Sequence, residues 1–333
     1  MSRNTRLLPV FIDQRFIVGI VFILLNITFA ILSPVFFKPG NYLNMLIQSS
    51  TIIITGCGAT LLMMTGNFDL STGSNVAFNC VFYSYLAVAG VPLPVAAAAS
   101  ILAGAMFGVV NGTLVARVGF PPFIASLGMM YIGRGLALVA CNGMSVRSGI
   151  PSDFGNLAMG SILGVPTPVM LIVAFLAVFW LIERRTLLGK YALAIGGNKT
   201  AAVFSGINAG GIVFFMYVLV GSLAGFAGVL TASRIGAGDP RSGNGFEFDV
   251  ILAVILGGTS LNGGKGSVLG MFLGAMTVVV LGNGLNMLNV LPFWQSILKG
   301  IILVLAIVLH KSLESGQSSG MEARKASVLA RVT

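Results

Sequence analysis

The sequence predicts an all-α, polytopic membrane protein with about ten transmembrane helices and both termini in the cytoplasm. Three observations predict it. Of the 333 residues, 56% are hydrophobic and only 8% are charged, with a mean hydropathy of +0.98. Soluble domains carry roughly a quarter charged residues, so this chain cannot clothe a water-facing surface. Apolar runs near the length needed to cross a hydrocarbon core of roughly 30 Å recur along the chain. Lysines and arginines sit mostly at the ends of those runs and on one side of them. The net charge of +10 therefore reports membrane orientation rather than nucleic acid, because the basic residues are not clustered with aromatics on a polar domain.

The first run, 16–36, follows Arg3, Arg6 and Arg15 and is too long for the apolar core of a signal peptide; with no clear cleavage site, it reads as the first spanning helix. The further runs are 43–64, 75–90, 94–116, 122–142, 165–182, 209–231, 247–262, 267–289 and 293–310. Segments 75–90 and 247–262 are short, which marks broken helices near a translocation path. With the N-terminus inside, Arg117, Arg184, Arg185, Lys190, Lys199, Lys265 and Lys311 also fall inside; the outside loops hold Lys38, Arg147, Arg234 and Arg241. Residues 1–314 form the transmembrane domain, and the polar, Ser-rich, basic stretch 315–333 is expected to be a disordered cytoplasmic tail. The cysteines, Cys57, Cys80 and Cys141, form no CxxC pair, so neither a metal nor a redox centre is indicated; His310 ends an apolar run and is read as structural or incidental rather than catalytic.

Three pairs of glycines at GxxxG spacing, Gly104/Gly108, Gly221/Gly225 and Gly270/Gly274, predict close helix packing. A possible duplication accompanies them: Gly104, Gly108, Asn111-Gly112 and Pro122-Phe123 are echoed by Gly270, Gly274, Asn283-Gly284 and Pro292-Phe293.

Polar residues interrupt the apolar pattern at three places. The break 65–75 carries Asn67, Asp69 and Ser71; it is either a capped turn or a broken helix lining a path, and Asp69 is assigned to structure with the break near the path. The inside loop 183–208 holds Lys190, Tyr191, Gly196, Gly197 and Asn198 on an unusually apolar stretch, as a short helix docking on a cytoplasmic partner or lying on the membrane would. Glu247 and Asp249 stand at the outer mouth of a span whose inner end is rich in glycine. That glycine run is not a phosphate-binding loop, since Gly266 follows Lys265 where Ser or Thr is needed, so energy for transport comes from elsewhere. Arg134 lies in the outer half of its helix, in reach of Glu247 or Asp249 as an ion-pair partner, and Lys299 is expected to snorkel. The candidate path is thus Asn67, Asp69, Ser71, Arg134, Glu247 and Asp249, with no catalytic residue and no metal ligand.

At these segments the chain resembles the ribose-type sugar permeases of bacterial ABC importers. The stretch 66-GNFDLSTGS-74 is similar to the family's GGIDLSVGS, 189-GKYALAIGGNKTAA-202 to GRxxYAIGGNxxAA, and 254-VILGGTSLNGGKGSVLG-270 to VVLGGTSLxGGxGSxxG; 111-NGTL-114, 121-PPFI-124 and 127-LGMMYIGRGLA-137 match further segments. Departures are Asn67, Phe68 and Thr72 for Gly, Ile and Val, and Lys190 and Leu193 for Arg and Tyr. The resemblance implies a permease of the bacterial inner membrane that binds no cofactor itself. Its implied partners are a cytoplasmic ABC ATPase holding ATP and Mg, a second permease subunit (identical or not), a periplasmic solute-binding protein and membrane lipid, with no nucleic acid. It also implies that Gly196, Gly197 and Asn198 lie in the loop that couples to the ATPase. The alternatives are an ion-coupled secondary transporter, for which Asp69 is the only carboxylate near midmembrane, and a membrane-embedded enzyme, for which His, Cys and paired carboxylates are scarce. A branched-chain amino acid permease of the same superfamily matches the motifs less well.

Overall fold

The structure, a computed structural model, describes residues 14–308. The assignments made for Arg3, Arg6, His310, both termini and the tail 315–333 lie outside the described residues. The helices are α1 (Gln14–Leu32), α2 (Pro39–Met64), α3 (Thr72–Val88), α4 (Leu93–Gly112), α5 (Pro122–Ala140), α6 (Asn156–Met159), α7 (Thr167–Arg185), α8 (Leu187–Gly197), α9 (Lys199–Phe204), α10 (Ala209–Ile235), α11 (Phe246–Leu256), α12 (Val268–Met287) and α13 (Pro292–Val308). A π-helical turn, Thr113–Val118, prolongs α4, and a two-stranded hairpin, β1 (Ser161–Ile162) and β2 (Val165–Pro166), precedes α7.

Every apolar run named above contains a helix. Among the described residues, six helices are long and apolar enough to cross a membrane: α2, α4 with its π turn, α5, α7, α10 and α12. Prolines in the first turn, where no backbone N–H is missed, open α2, α4, α5 and α7. Asn198, Asn208 and Ser267 cap α9, α10 and α12 by accepting from Ala201, Gly211 and Gly270 backbone N–H groups. One boundary differs substantially from expectation. The run 247–262 stays helical only to Leu256, because Gly257 and Gly258 end it and the chain turns through Gly258, Gly263 and Gly264 at positive φ.

Two long helices, α2 and α10, form the buried centre. α10 packs most extensively on α4, then on α3 and α2; α2 packs on α12, α7 and α11. The α4–α10 seam is where the first two glycine pairs meet. A Cβ on Gly104 would lie 2.6 Å from Gly225 Cα, and one on Gly108 would lie 2.6 Å from Val218 Cα, both closer than atoms can stand. Asn75 of α3 fixes this seam by donating to the Gly104 and Gly221 carbonyls, 3.1 Å each. The third pair does the same for α11 and α12, where Gly270 and Gly274 face the Gly257 and Ala253 carbonyls.

The duplication hinted at by sequence has a counterpart in the element order. In α2–α5 and again in α10–α13, a long buried helix leads through a polar break into a short helix, then a glycine-paired helix, then one with proline in its first turn. The halves interlock: α10 packs on α3 and α4, and α2 packs on α11 and α12.

Candidate functional site

The two breaks bring the short helices together at their N-termini. Gly73, in the first turn of α3, lies against Glu247, in the first turn of α11, and against the Gly243 carbonyl; a Cβ there would collide with both. Both helices thus turn the positive ends of their dipoles towards one region, where the carboxyl groups of Asp69 and Glu247 lie. Irregular backbone of this kind is tolerated at depth only where protein or a wet cavity satisfies it.

Protein groups meet most of the first break, although Thr72 Oγ1 and Asn111 Oδ1 are buried without a partner. One oxygen of Asp69 accepts from the Ser71 backbone N–H (2.7 Å), the Ser71 hydroxyl (2.6 Å) and the Asn111 amide (3.1 Å). Asn111 also donates to the Ser71 hydroxyl at 2.9 Å, and Tyr217 donates to the Phe68 carbonyl at 3.0 Å. Asp69, Ser71 and Asn111 are buried. Ser71 occupies the cap position of α3 but makes no capping bond, since its hydroxyl donates to Asp69 instead. Asn67, half-buried, donates to the Thr65 hydroxyl within its own turn. Sequence reasoning missed Asn111 and Tyr217, which lie 42 positions from Asp69 and 149 from Phe68; the only signal was an amide and a phenol inside apolar runs.

The second break differs from expectation. Arg134 makes no ion pair with Glu247 or Asp249; its guanidinium donates to the Ser242 and Gly243 carbonyls at 3.1 and 3.2 Å. The physical reason is the turn 236–245, which presents two consecutive carbonyls that fit the planar fork of arginine. Glu247 is buried, with Oε2 unpartnered, while Asp249 takes Lys299 at 2.8 Å. Lys299 is therefore held by a carboxylate on another helix rather than simply snorkelling.

A third cluster lies at the end of the bundle that carries loop 183–208. The Gly264 N–H donates to the Met64 carbonyl at 2.9 Å, and a Cβ on Gly263 would stand 2.6 Å from the Gly66 N and 2.7 Å from Gly196 Cα. Gly196 itself abuts the Met64 carbonyl and the Gly264 N. Three segments distant in sequence thus touch backbone to backbone. Glu183, at the end of α7, accepts from the Val268 N–H at the start of α12 (2.8 Å) and ties the loop's origin to the same place. On the outer surface of α8 and α9, Lys190, Gly197 and Asn198 are exposed and Tyr191 is half-buried. Leu187, Val203 and Phe204 are also exposed there, Phe204 at 86%. Among the described residues, no group of three or more potential metal ligands occurs.

Residues 41–307 match the family model described as the branched-chain amino acid transport system permease component. The ribose import permease of Escherichia coli is 41% identical over 281 residues, which cover 83% of this chain and 87% of that protein. The D-allose transport system permease of Escherichia coli is 35% identical over 297 residues (88% and 91%). The L-arabinose ABC transporter permease of Azospirillum brasilense is 36% identical over 288 residues (86% and 85%). No solved structure matches the chain. The matched stretch contains both breaks, the interlocked halves and the glycine cluster, and this multi-pass chain belongs to that family of transport permease components.

Proposed function

We propose that the protein is the transmembrane permease subunit of an ATP-driven importer, moving a sugar or sugar-like solute delivered by a periplasmic binding protein. The observation that carries this reading is the likeness over more than four-fifths of the chain to permeases named for ribose, allose and arabinose. In this reading all ten apolar helices span the inner membrane, both termini are cytoplasmic, and two permease subunits pair. α8 and α9 present Leu187, Val203 and Phe204 to a cytoplasmic ATPase, which binds ATP and Mg. The permease itself is no enzyme.

The geometry supports a mechanical route for coupling. The inner glycine cluster links the loop to both breaks: Gly196 and Gly197 touch the turn 257–267 that ends α11, and Gly263 touches the break that leads to α3. Movement of α8 and α9 by the ATPase is therefore passed to the two short helices whose N-termini meet at Gly73 and Glu247. The energy difference between outward-open and inward-open states comes from ATP on the partner, since a change of state requires something that binds the two states differently. Asp69, whose carboxylate is engaged by Ser71 and Asn111, serves the fold rather than an ion-coupled cycle.

The test is purification of the tagged permease in mild detergent with mass spectrometry of what accompanies it, followed by reconstitution. The expected result is an ABC ATPase, with this permease alone or with a second similar one, and ATP-dependent sugar uptake with the binding protein present. An active preparation without an ATPase would return the ion-coupled transporter.

A further inference from the structure

We propose that the solute is contacted in a polar cavity between α2, α10, α11, α12 and α13, built for a neutral polyhydroxylated molecule of monosaccharide size. This rests on the importer reading and places its solute site.

Two adjoining hollows of about 270 and 300 Å³ share Asn244, Asp249 and Lys299 in their walls. Their size lies at the lower end of small-molecule sites. Their walls run from Asn244, in the turn before α11, to Lys299 of α13 and Thr51 of α2. Lys299 is seven residues beyond Pro292 and Thr51 twelve beyond Pro39, roughly 10 and 18 Å along their helices at 1.5 Å per residue. Gly243, Asn244 and Phe246, where the chain enters α11, also line the cavity, and Gly243 touches Gly73. The cavity thus borders the junction of the two broken helices.

Its chemistry is that of a hydroxyl-binding site. The Asp249–Lys299 pair, at 2.8 Å, retains a carboxylate oxygen and two ammonium hydrogens beyond its own bond. Around it, the side chains of Gln48, Arg234 and Asn244 make no hydrogen bond or ion pair to protein among the described residues. Gln48 and Asn244 are exposed and Arg234 is half-buried, all facing this cavity. Having no protein partner, these amides and the guanidinium are free to hydrogen-bond whatever occupies the cavity. A sugar hydroxyl donates and accepts at once and suits a mixed set of amides, a carboxylate and cations. The Ile52, Val278 and Val279 walls offer apolar contact to its C–H faces. A bare cation finds Asp249 already neutralised, and a branched apolar side chain finds no apolar pocket of its own.

The test uses Asn244→Cys in the assembled importer, labelled with a membrane-impermeant maleimide in the presence of D-ribose, D-allose, L-arabinose or, as control, leucine. The native cysteines are buried and give little background. Leu163→Cys, at the 97% exposed tip of the β1–β2 turn, is the reference. The expected result is that a sugar slows labelling of Asn244→Cys about threefold or more and leaves Leu163→Cys unchanged. Gln48→Leu, which removes no protein contact, should abolish that protection while the complex still assembles. Protection by none of the sugars, protection by leucine, or full protection in Gln48→Leu overturns the proposal. In parallel, Gln48→Leu and Arg234→Gln should each lower ATP-driven sugar uptake about tenfold, the value of one lost hydrogen bond to a charged or strongly polar group. Normal uptake in both variants overturns the cavity and leaves the importer reading intact. Absence of any ATP-driven uptake by the unmodified complex overturns the importer reading, and the labelling result then decides the cavity by itself.

Discussion

Replacing Gly104 tests the packing on which the whole bundle depends. In the structure a Cβ at this position would stand 2.6 Å from Gly225 Cα, 2.6 Å from the Gly221 carbonyl and 2.9 Å from the Gly225 N. These neighbours are backbone atoms of α10, so no side chain can rotate away. Ordinary contact begins near 3.4 Å, and the Gly104→Ala change must therefore push α4 and α10 apart by close to an ångström. Overpacking of this kind costs about 1–3 kcal/mol. The displacement also stretches the two bonds by which Asn75 bridges Gly104 and Gly221, each worth about 1 kcal/mol. A total near 2–4 kcal/mol corresponds to a fall in melting temperature of about 3–6 °C for a chain this long. The buried Cys57, Cys80 and Cys141 make the assay direct, because a thiol-reactive fluorophore reports their exposure as the bundle opens on heating. Gly135→Ala is the control, since a Cβ there meets nothing within 4 Å. If Gly104→Ala and Gly135→Ala melt within a degree or two of each other, α4 and α10 are not in backbone contact and the reasoning fails.

Four further outcomes are expected. Gly197→Trp should fold normally, since a Cβ there meets nothing, yet release the ATPase on co-purification, whereas Gly196→Trp should lower stability by about 3 kcal/mol or more because it abuts the Met64 carbonyl and Gly264 N; equal behaviour of the two by thermal melting would contradict this. Exchanging charges as Arg134→Glu with Glu247→Arg should restore no more transport than either single change, because Arg134 binds carbonyls; Arg134→Lys should also transport poorly, having lost the bidentate fork, and uptake assays would read both. Asn111→Leu should destabilise by about 1–3 kcal/mol in the same melting assay, as it removes donors from buried Asp69 and Ser71. Asp249→Ala should cost about 1 kcal/mol, the pair being partly solvated, and adding Lys299→Met should recover most of it, a coupling that a double-mutant melting series measures.

Much was legible in the sequence alone: the all-α class, the ten apolar segments, the three glycine pairs and the polar break 65–75. These are legible because a lipid solvent demands long apolar runs with internally satisfied backbones, a requirement that each segment meets locally. The helix ends at Pro39, Pro122 and Gly236 follow from equally local chemistry. What the tertiary structure decided was partnership. That Gly104 faces Gly225, that Asn75 binds carbonyls on two other helices, and that Gly73 meets Glu247 depend on how α2 and α10 cross between the halves. Charge alone favoured Arg134 with a carboxylate, but only the fold shows the carbonyls of Ser242 and Gly243 nearer its plane, and Asp249 turned to Lys299 fifty positions away. The early end of α11 at Leu256 belongs to the same class, because its apolar pattern ran on and the glycines that stopped it were needed for backbone contact with α12, Gly66 and Gly196. Local periodicity records what each segment must bury; it does not record which distant backbone will lie against it.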